Sequence, residues 1–200
     1  SSARMTENPT IDALAHTLAE LIDALALHRP HIFGLHTGNK IAAALAANCP
    51  DHVGDVILAG QTHSLILDMQ TRNAALAPYC EKYFPKYDHR ADGSHLLKAW
   101  NITRAAVEGF WWPPELLNAQ STSAADLAQA EVRVTDHLHG WESIAPLYRA
   151  IFAFDLPEVV KRIKARALVL ELCTQQEAHY GRQGKLLCDL IPGAEQDRKS

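Results

Sequence analysis

Nowhere does this chain run 18 apolar residues without interruption, and it does not open on the charged-then-apolar leader of an exported protein. Neither a membrane span nor a signal peptide is therefore expected. An excess of positive charge is also missing: 19 Lys and Arg stand against 23 Asp and Glu, a formal net charge of −4. Without a basic footprint, nucleic acid is not an expected partner. Cysteine is sparse. Cys49, Cys80, Cys173 and Cys188 form no C-x-x-C pair and no Cys/His spacing of a zinc site. They read as reduced thiols of a cytoplasmic protein, and no metal or other cofactor is expected. The 11 histidines are dispersed rather than clustered, and internal repeats and low-complexity tracts are absent.

What is present suits a globular fold. Two hundred residues can bury a full core as one domain with an inserted subdomain. From Thr10, a plausible N-cap, Ile11, Leu14, Leu18, Leu21 and Leu25 recur at helical spacing, which predicts an amphipathic helix ending near Leu27, before Arg29 and Pro30. Pro30 to Phe33 is a short buried-strand candidate. An alanine-rich helix follows and stops at about Asn48, before Pro50, and Val53 to Ala59 reads as a second buried strand. Helix, strand, helix, strand with short connections is a βαβ pattern, so the strands are expected to be parallel and covered on both faces.

Between Gln61 and Lys164 the pattern turns helical, with aromatic and proline-rich breaks. Leu96, Trp100, Thr103 and Val107 lie on one stripe, and the run Phe110 to Pro114 ends that helix. Ala124 to Leu138, Ile144 to Phe154 and Leu156 to Ile163 are further helices. Ala167 to Leu172 returns to a strand, and Gly181 to Leu190 to a helix closed by Ile191-Pro192-Gly193-Ala194. The expected organisation is an α/β core over residues 1–60, a helical insertion over 61–164, and a return to the core over 165–200.

The organising stretch is His31 to Lys40. Gly34 and Gly38 flank His36 as the outer glycines of G-x-S-x-G flank a nucleophilic serine. A sharp strand-to-helix turn strains its middle residue and crowds the residues two before and two after it. Here the middle residue is histidine. At the carboxyl ends of parallel strands its imidazole would face the crevice where such sheets bind ligands. It is a candidate base, nucleophile or hydrogen-bond donor to a ligand, or simply a polar pocket wall.

The order of these parts resembles the α/β-hydrolase superfamily across nearly the whole chain. Thr10 to Leu25 is similar to the helix before the elbow strand, and Gly34 to Gly38 sits at the nucleophile elbow. Cys49-Pro50-Asp51-His52-Val53 with Val56 to Gly60 is similar to the segment that follows. Arg166 to Leu170 and Leu190 to Ala194 are similar to the later strand and helix end. The resemblance implies a parallel-sheet α/β-hydrolase fold with an inserted helical cap, and a hydrolase acting on a small organic substrate in a capped apolar pocket. The family's nucleophile is Ser, Cys or Asp, and His36 stands in its place. Where the family carries its acid, this chain reads Cys173-Thr174-Gln175-Gln176, with Glu177 the first carboxylate. The alternative acid position shows Gln61-Thr62-His63-Ser64. The family's histidine loop would follow Ser200 and its first strands would precede Ser1, so the resemblance implies an internal piece of a longer protein.

Thr37 holds the position whose backbone N–H makes half of the family's oxyanion hole. His63, Trp100, Arg104, Trp111 and Trp112 are candidates to line the substrate pocket. His36 with His63 would lack a third ligand for a metal. Glu171, near a strand end, is a stand-in for the missing acid. The rival reading is a catalytically inactive protein that keeps the pocket and binds a small molecule or partner.

Overall fold

The computed structural model describes residues 8–60, 89–98, 124–172 and 182–199. Contacts divide the chain into two compact units, one of Asn8–Thr71 with Arg149–Ser200 and one of Ser1–Glu7 with Arg72–Tyr148.

The first unit is α/β. Helix α1 covers Ile11–Ala24, β1 Ile32–Leu35, α2 Thr37–Asn48, a 3-10 turn Pro50–His52, and β2 Val56–Ala59. The Thr10 hydroxyl caps α1 by accepting from the Ala13 N–H at 3.0 Å. Left-handed backbone at Ala26 and Arg29 then breaks the helix before Pro30. Helix α3 covers Ala124–Ala153 and crosses the division between units, with Pro146 inside it. Helix α4 (Leu156–Val160), β3 (Ala167–Leu172), α5 (Gly184–Leu190) and β4 (Glu195–Lys199) complete the order. In the second unit residues 94–98 are helical, and Asp92 Oδ1 accepts from the Ser94 N–H at 2.9 Å.

The four strands lie in the order β1-β2-β3-β4, every pair parallel. Ile32, Val56 and Ala167 are level across the sheet, as are Gly34, Leu58 and Val169. Side chains alternate between faces along a strand, so Val56, Leu58 and Val169 share one face, and each is fully buried. Burying such a side chain contributes about 1.5–3 kcal/mol. Helix α2 packs on this face with Ala42 beside Gly34, and Ala43, Ala44 and Ala46 are buried too, since α2 also packs against α1 and α4. Asn48 donates to the Asp12 carboxylate at 2.7 Å and ties the end of α2 to the start of α1.

Several sequence expectations shift. In α1 the buried stripe is Ile11, Ala15, Ala19 and Ile22, whereas Leu21 and Leu25 are more than half exposed. Ala15 and Ala19 let the middle of α1 approach α2, with Ile11 and Ile22 buried at either end of the stripe. Strand β1 runs two residues later than expected and is an edge strand with Phe33 exposed. The second strand starts at Val56 because Pro50–His52 forms the 3-10 turn. The two helices expected over 124–154 are one continuous α3, Gly140 included. Residues 195–199 form a strand that the wholly polar run Glu-Gln-Asp-Arg-Lys did not suggest.

Candidate active site

His36 sits where β1 turns into α2, at φ 49° and ψ −107°. A non-glycine residue at positive φ costs on the order of 1–3 kcal/mol and persists only where its surroundings over-determine it. Here they do. The His36 N–H donates to the Ala59 carbonyl at 3.2 Å, and its own carbonyl accepts from the Asn39 N–H at 3.1 Å. Ala59 ends β2, and the Gly60 N–H reaches on to the Leu170 carbonyl at 3.1 Å. The carboxyl ends of three strands are thus laced together beneath the turn. The His36 side chain is exposed and does not cap α2.

The two glycines are unequal. A Cβ on Gly34 would lie 2.5 Å from the Gly38 carbonyl oxygen, 2.7 Å from Asn39 Cα and 2.8 Å from Ala42 Cβ. No rotamer relieves overlap with backbone, so this close approach of strand and helix requires glycine. A Cβ on Gly38 would meet nothing within 4 Å. The crowding expected on both sides of the turn is present on one.

Thr37 opens α2, half-buried, and its N–H is among the first-turn donors that a helix leaves without an intrahelical acceptor. With the positive end of the helix dipole, they make the start of α2 a favourable place for developing negative charge.

Two residues that sequence reasoning passed over stand just beyond. Asn39 and Lys40 are completely buried, and the Lys40 ammonium lies over the Phe152 ring, 5.8 Å from its centroid. Polar side chains at the head of an alanine-rich helix read as outward-facing. The available signal was that this helix has few polar residues anywhere, as expected of a helix enclosed on most sides.

Glu171 has a different task from the one considered for it. Its Oε1 accepts from the Gly184 N–H at 3.1 Å at the start of α5, and Oε2 approaches the Gln196 amide at 3.5 Å. The carboxylate is buried on the helix-covered face and joins β3, α5 and β4. His63, Trp100, Arg104, Trp111, Trp112 and Glu177 lie outside the described residues. Cys49 and Cys188 are free thiols, both pushed up in pKa by burial. No helix among the described residues is long and apolar enough to cross a membrane.

A parallel sheet, a strained residue at a strand-to-helix turn and a helix packed against that turn's glycine define the α/β-hydrolase fold, and this chain has it. Solved structures agree. A hydrolase from Pseudomonas aeruginosa superposes with a TM-score of 0.63 at 23% identity, over 100% of this chain and 66% of its own. An enol-lactonase from Burkholderia xenovorans gives 0.62 at 22% identity, over 96% and 65%. MenH from S. aureus gives 0.67 at 14% identity, over 99% and 69%. By sequence, a Caulobacter protein that carries the name carbamate hydrolase RutD is 24% identical over 173 residues, 84% of this chain and 56% of that protein. The chain therefore spans little more than half the length of this curated relative. No family model matches the sequence.

Proposed function

We propose that this chain is the greater part of a hydrolase that acts on a small organic substrate, with His36 as its reactive group at the elbow and residues 61–164 as a helical cap. The observation that carries the reading is the backbone of His36. Strain of this kind is maintained by Gly34 and by the hydrogen bond to Ala59, and it serves to present one side chain at the carboxyl edge of the sheet. An acyl-imidazole hydrolyses readily, so the easier chemistry for His36 is to take a proton from water or substrate. The Thr37 N–H then faces the developing oxyanion from the start of α2. His63, Trp100, Arg104, Trp111 and Trp112 are the candidates for substrate contact. The names of the Caulobacter relative and of the P. aeruginosa and B. xenovorans structures, which speak of hydrolases and a lactonase, support a hydrolytic reading.

One observation favours a second reading. Glu171 is engaged in joining β3, α5 and β4, so it is not at hand as the acid for His36. The rival is a binding protein that keeps the pocket without turnover. Chromogenic short-chain esters, with a serine-directed fluorophosphonate probe alongside, separate the two. Expected is turnover of at least one ester without probe labelling, falling about 100-fold or more in His36→Ala. Unchanged turnover in that variant removes His36 from the chemistry, and saturable binding without turnover establishes the rival.

A further inference from the structure

Asn39 stands in the first turn of α2, three residues past His36, yet it is only 1% exposed. Asparagine is mostly a surface residue, so its burial here needs a physical cause. The cause begins at Gly34. The Cβ that Gly34 lacks would fall 2.7 Å from the Asn39 Cα, so Asn39 sits directly against β1. From that place its Nδ2 donates to the Ala59 carbonyl at 3.5 Å, at the end of β2.

The same carbonyl accepts the His36 N–H at 3.2 Å, and a carbonyl oxygen has two lone pairs for two donors. The Asn39 N–H in turn donates to the His36 carbonyl at 3.1 Å. The three bonds close a ring through His36, Ala59 and Asn39. Leu35 is level with Ala59, so the His36 N–H continues the ladder of β1 with β2, while its carbonyl already belongs to α2. The left-handed backbone at φ 49° accommodates both demands. Any residue at position 39 could supply the backbone bond of this ring. The side-chain bond needs a donor on a short stem, which asparagine has and leucine or alanine lacks. We propose that Asn39 is a positioning residue for the elbow: its amide fixes the Ala59 carbonyl and, through it, the strained backbone that presents the His36 imidazole. The catalytic importance of this rests on the reading of His36 as the reactive group; the hold on the turn does not.

Amide hydrogen exchange, followed residue by residue in NMR of the full-length protein, reads the turn without reference to turnover. Asn39→Leu keeps the branched shape, drops the donor and leaves the Ala59 carbonyl its bond from the His36 N–H. In this variant the His36 and Asn39 amides are expected to exchange at least about tenfold faster, while those of Leu45 and Val56 change less than about threefold. Ala43→Gly, at a buried helix position away from the turn, is the control and should speed exchange along α2 alike. Equal acceleration along α2 and β2 in Asn39→Leu, or no change at His36, overturns the proposal. Asn39→Ala carries the same comparison if the leucine variant does not fold. Failure of both to fold makes Asn39 a core residue and also overturns it. On an ester that the wild type turns over, Asn39→Leu should lower kcat at least about tenfold with KM within about threefold. A raised KM at constant kcat contradicts the positioning role. The two readings fail separately. If His36→Ala leaves turnover unchanged while Asn39→Leu still releases the His36 amide, the role of His36 falls and the hold on the turn stands.

Discussion

Leu58 and Leu35 stand at the carboxyl halves of adjacent parallel strands, both leucine, both in a four-residue apolar run. Leu58 is fully buried and Leu35 is 45% exposed. The difference is which face of the sheet each side chain takes. Leu58 points to the face that α2 covers, and Leu35 to the face with Phe33. Strand pattern alone sets the alternation. Whether each side of the alternation is buried depends on what lies above it, and that is a property of the tertiary structure.

The comparison can be broken at its most crowded point first. Gly34→Ala forces a methyl into backbone on the covered face and is expected to cost about 2–4 kcal/mol. Gly38→Ala, with open space around it, is expected to be neutral or slightly stabilising, since alanine is the better helix residue by about 0.5–1 kcal/mol. Chemical denaturation of the two variants decides the matter, and equal losses would place the turn's crowding on both glycines. The paired leucines come next. Leu58→Ala should lose about 2–5 kcal/mol through the cavity it leaves, against a change within about 0.5 kcal/mol for Leu35→Ala. Similar losses would mean that the second face is covered.

The smallest effect lies at the amino ends of β2 and β3, where Arg166 bonds Asp55 through Nη2 at 2.8 Å and Nε at 3.3 Å. The guanidinium bond, with smaller contributions from the charges of His31 and Arg29, holds the Asp55 carboxyl below its ordinary value. A depressed folded-state value stabilises the protein above the unfolded carboxyl pKa of about 3.9 and loses that contribution as pH falls through the folded value. Thermal melts of wild type and Asp55→Asn should therefore differ most near neutral pH and converge in strong acid. The pair is exposed, so the difference is small and shrinks with salt. A gap that widens on acidification contradicts the assignment.

How much was legible in the sequence varied with the force at work. Strand β3 was, to the residue, because Ala167 to Leu172 is a short apolar run next to clear breaks. Strand β4 was not. Nothing in Glu195 to Lys199 favours a strand locally, and its conformation follows from pairing with β3 in register from Leu168 to Leu172. The inward stripe of α1 was misplaced because periodicity weights bulky leucines, while packing against α2 selected Ala15 and Ala19. At the strand-to-helix turn, the glycine spacing marked the strained backbone of His36, since a close approach that needs Gly34 announces itself in residue type. Asn39 and Lys40 went unnoticed, because their burial depends on Ala59 and Phe152, which are 20 and more than 100 residues away in sequence.

The sequence by itself determined the alternation of strands and helices, the turn at Gly34 to Gly38 and the identity of the residue placed on it. These are local matters, governed by periodicity, by proline and glycine stereochemistry and by the size of alanine. The tertiary structure alone decided that His36 is held in a left-handed backbone by Ala59, that Glu171 joins three elements and that α2 and α5 lie on one and the same face of the sheet. Each of those depends on groups far apart along the chain meeting in space, and local sequence preferences carry no information about such meetings.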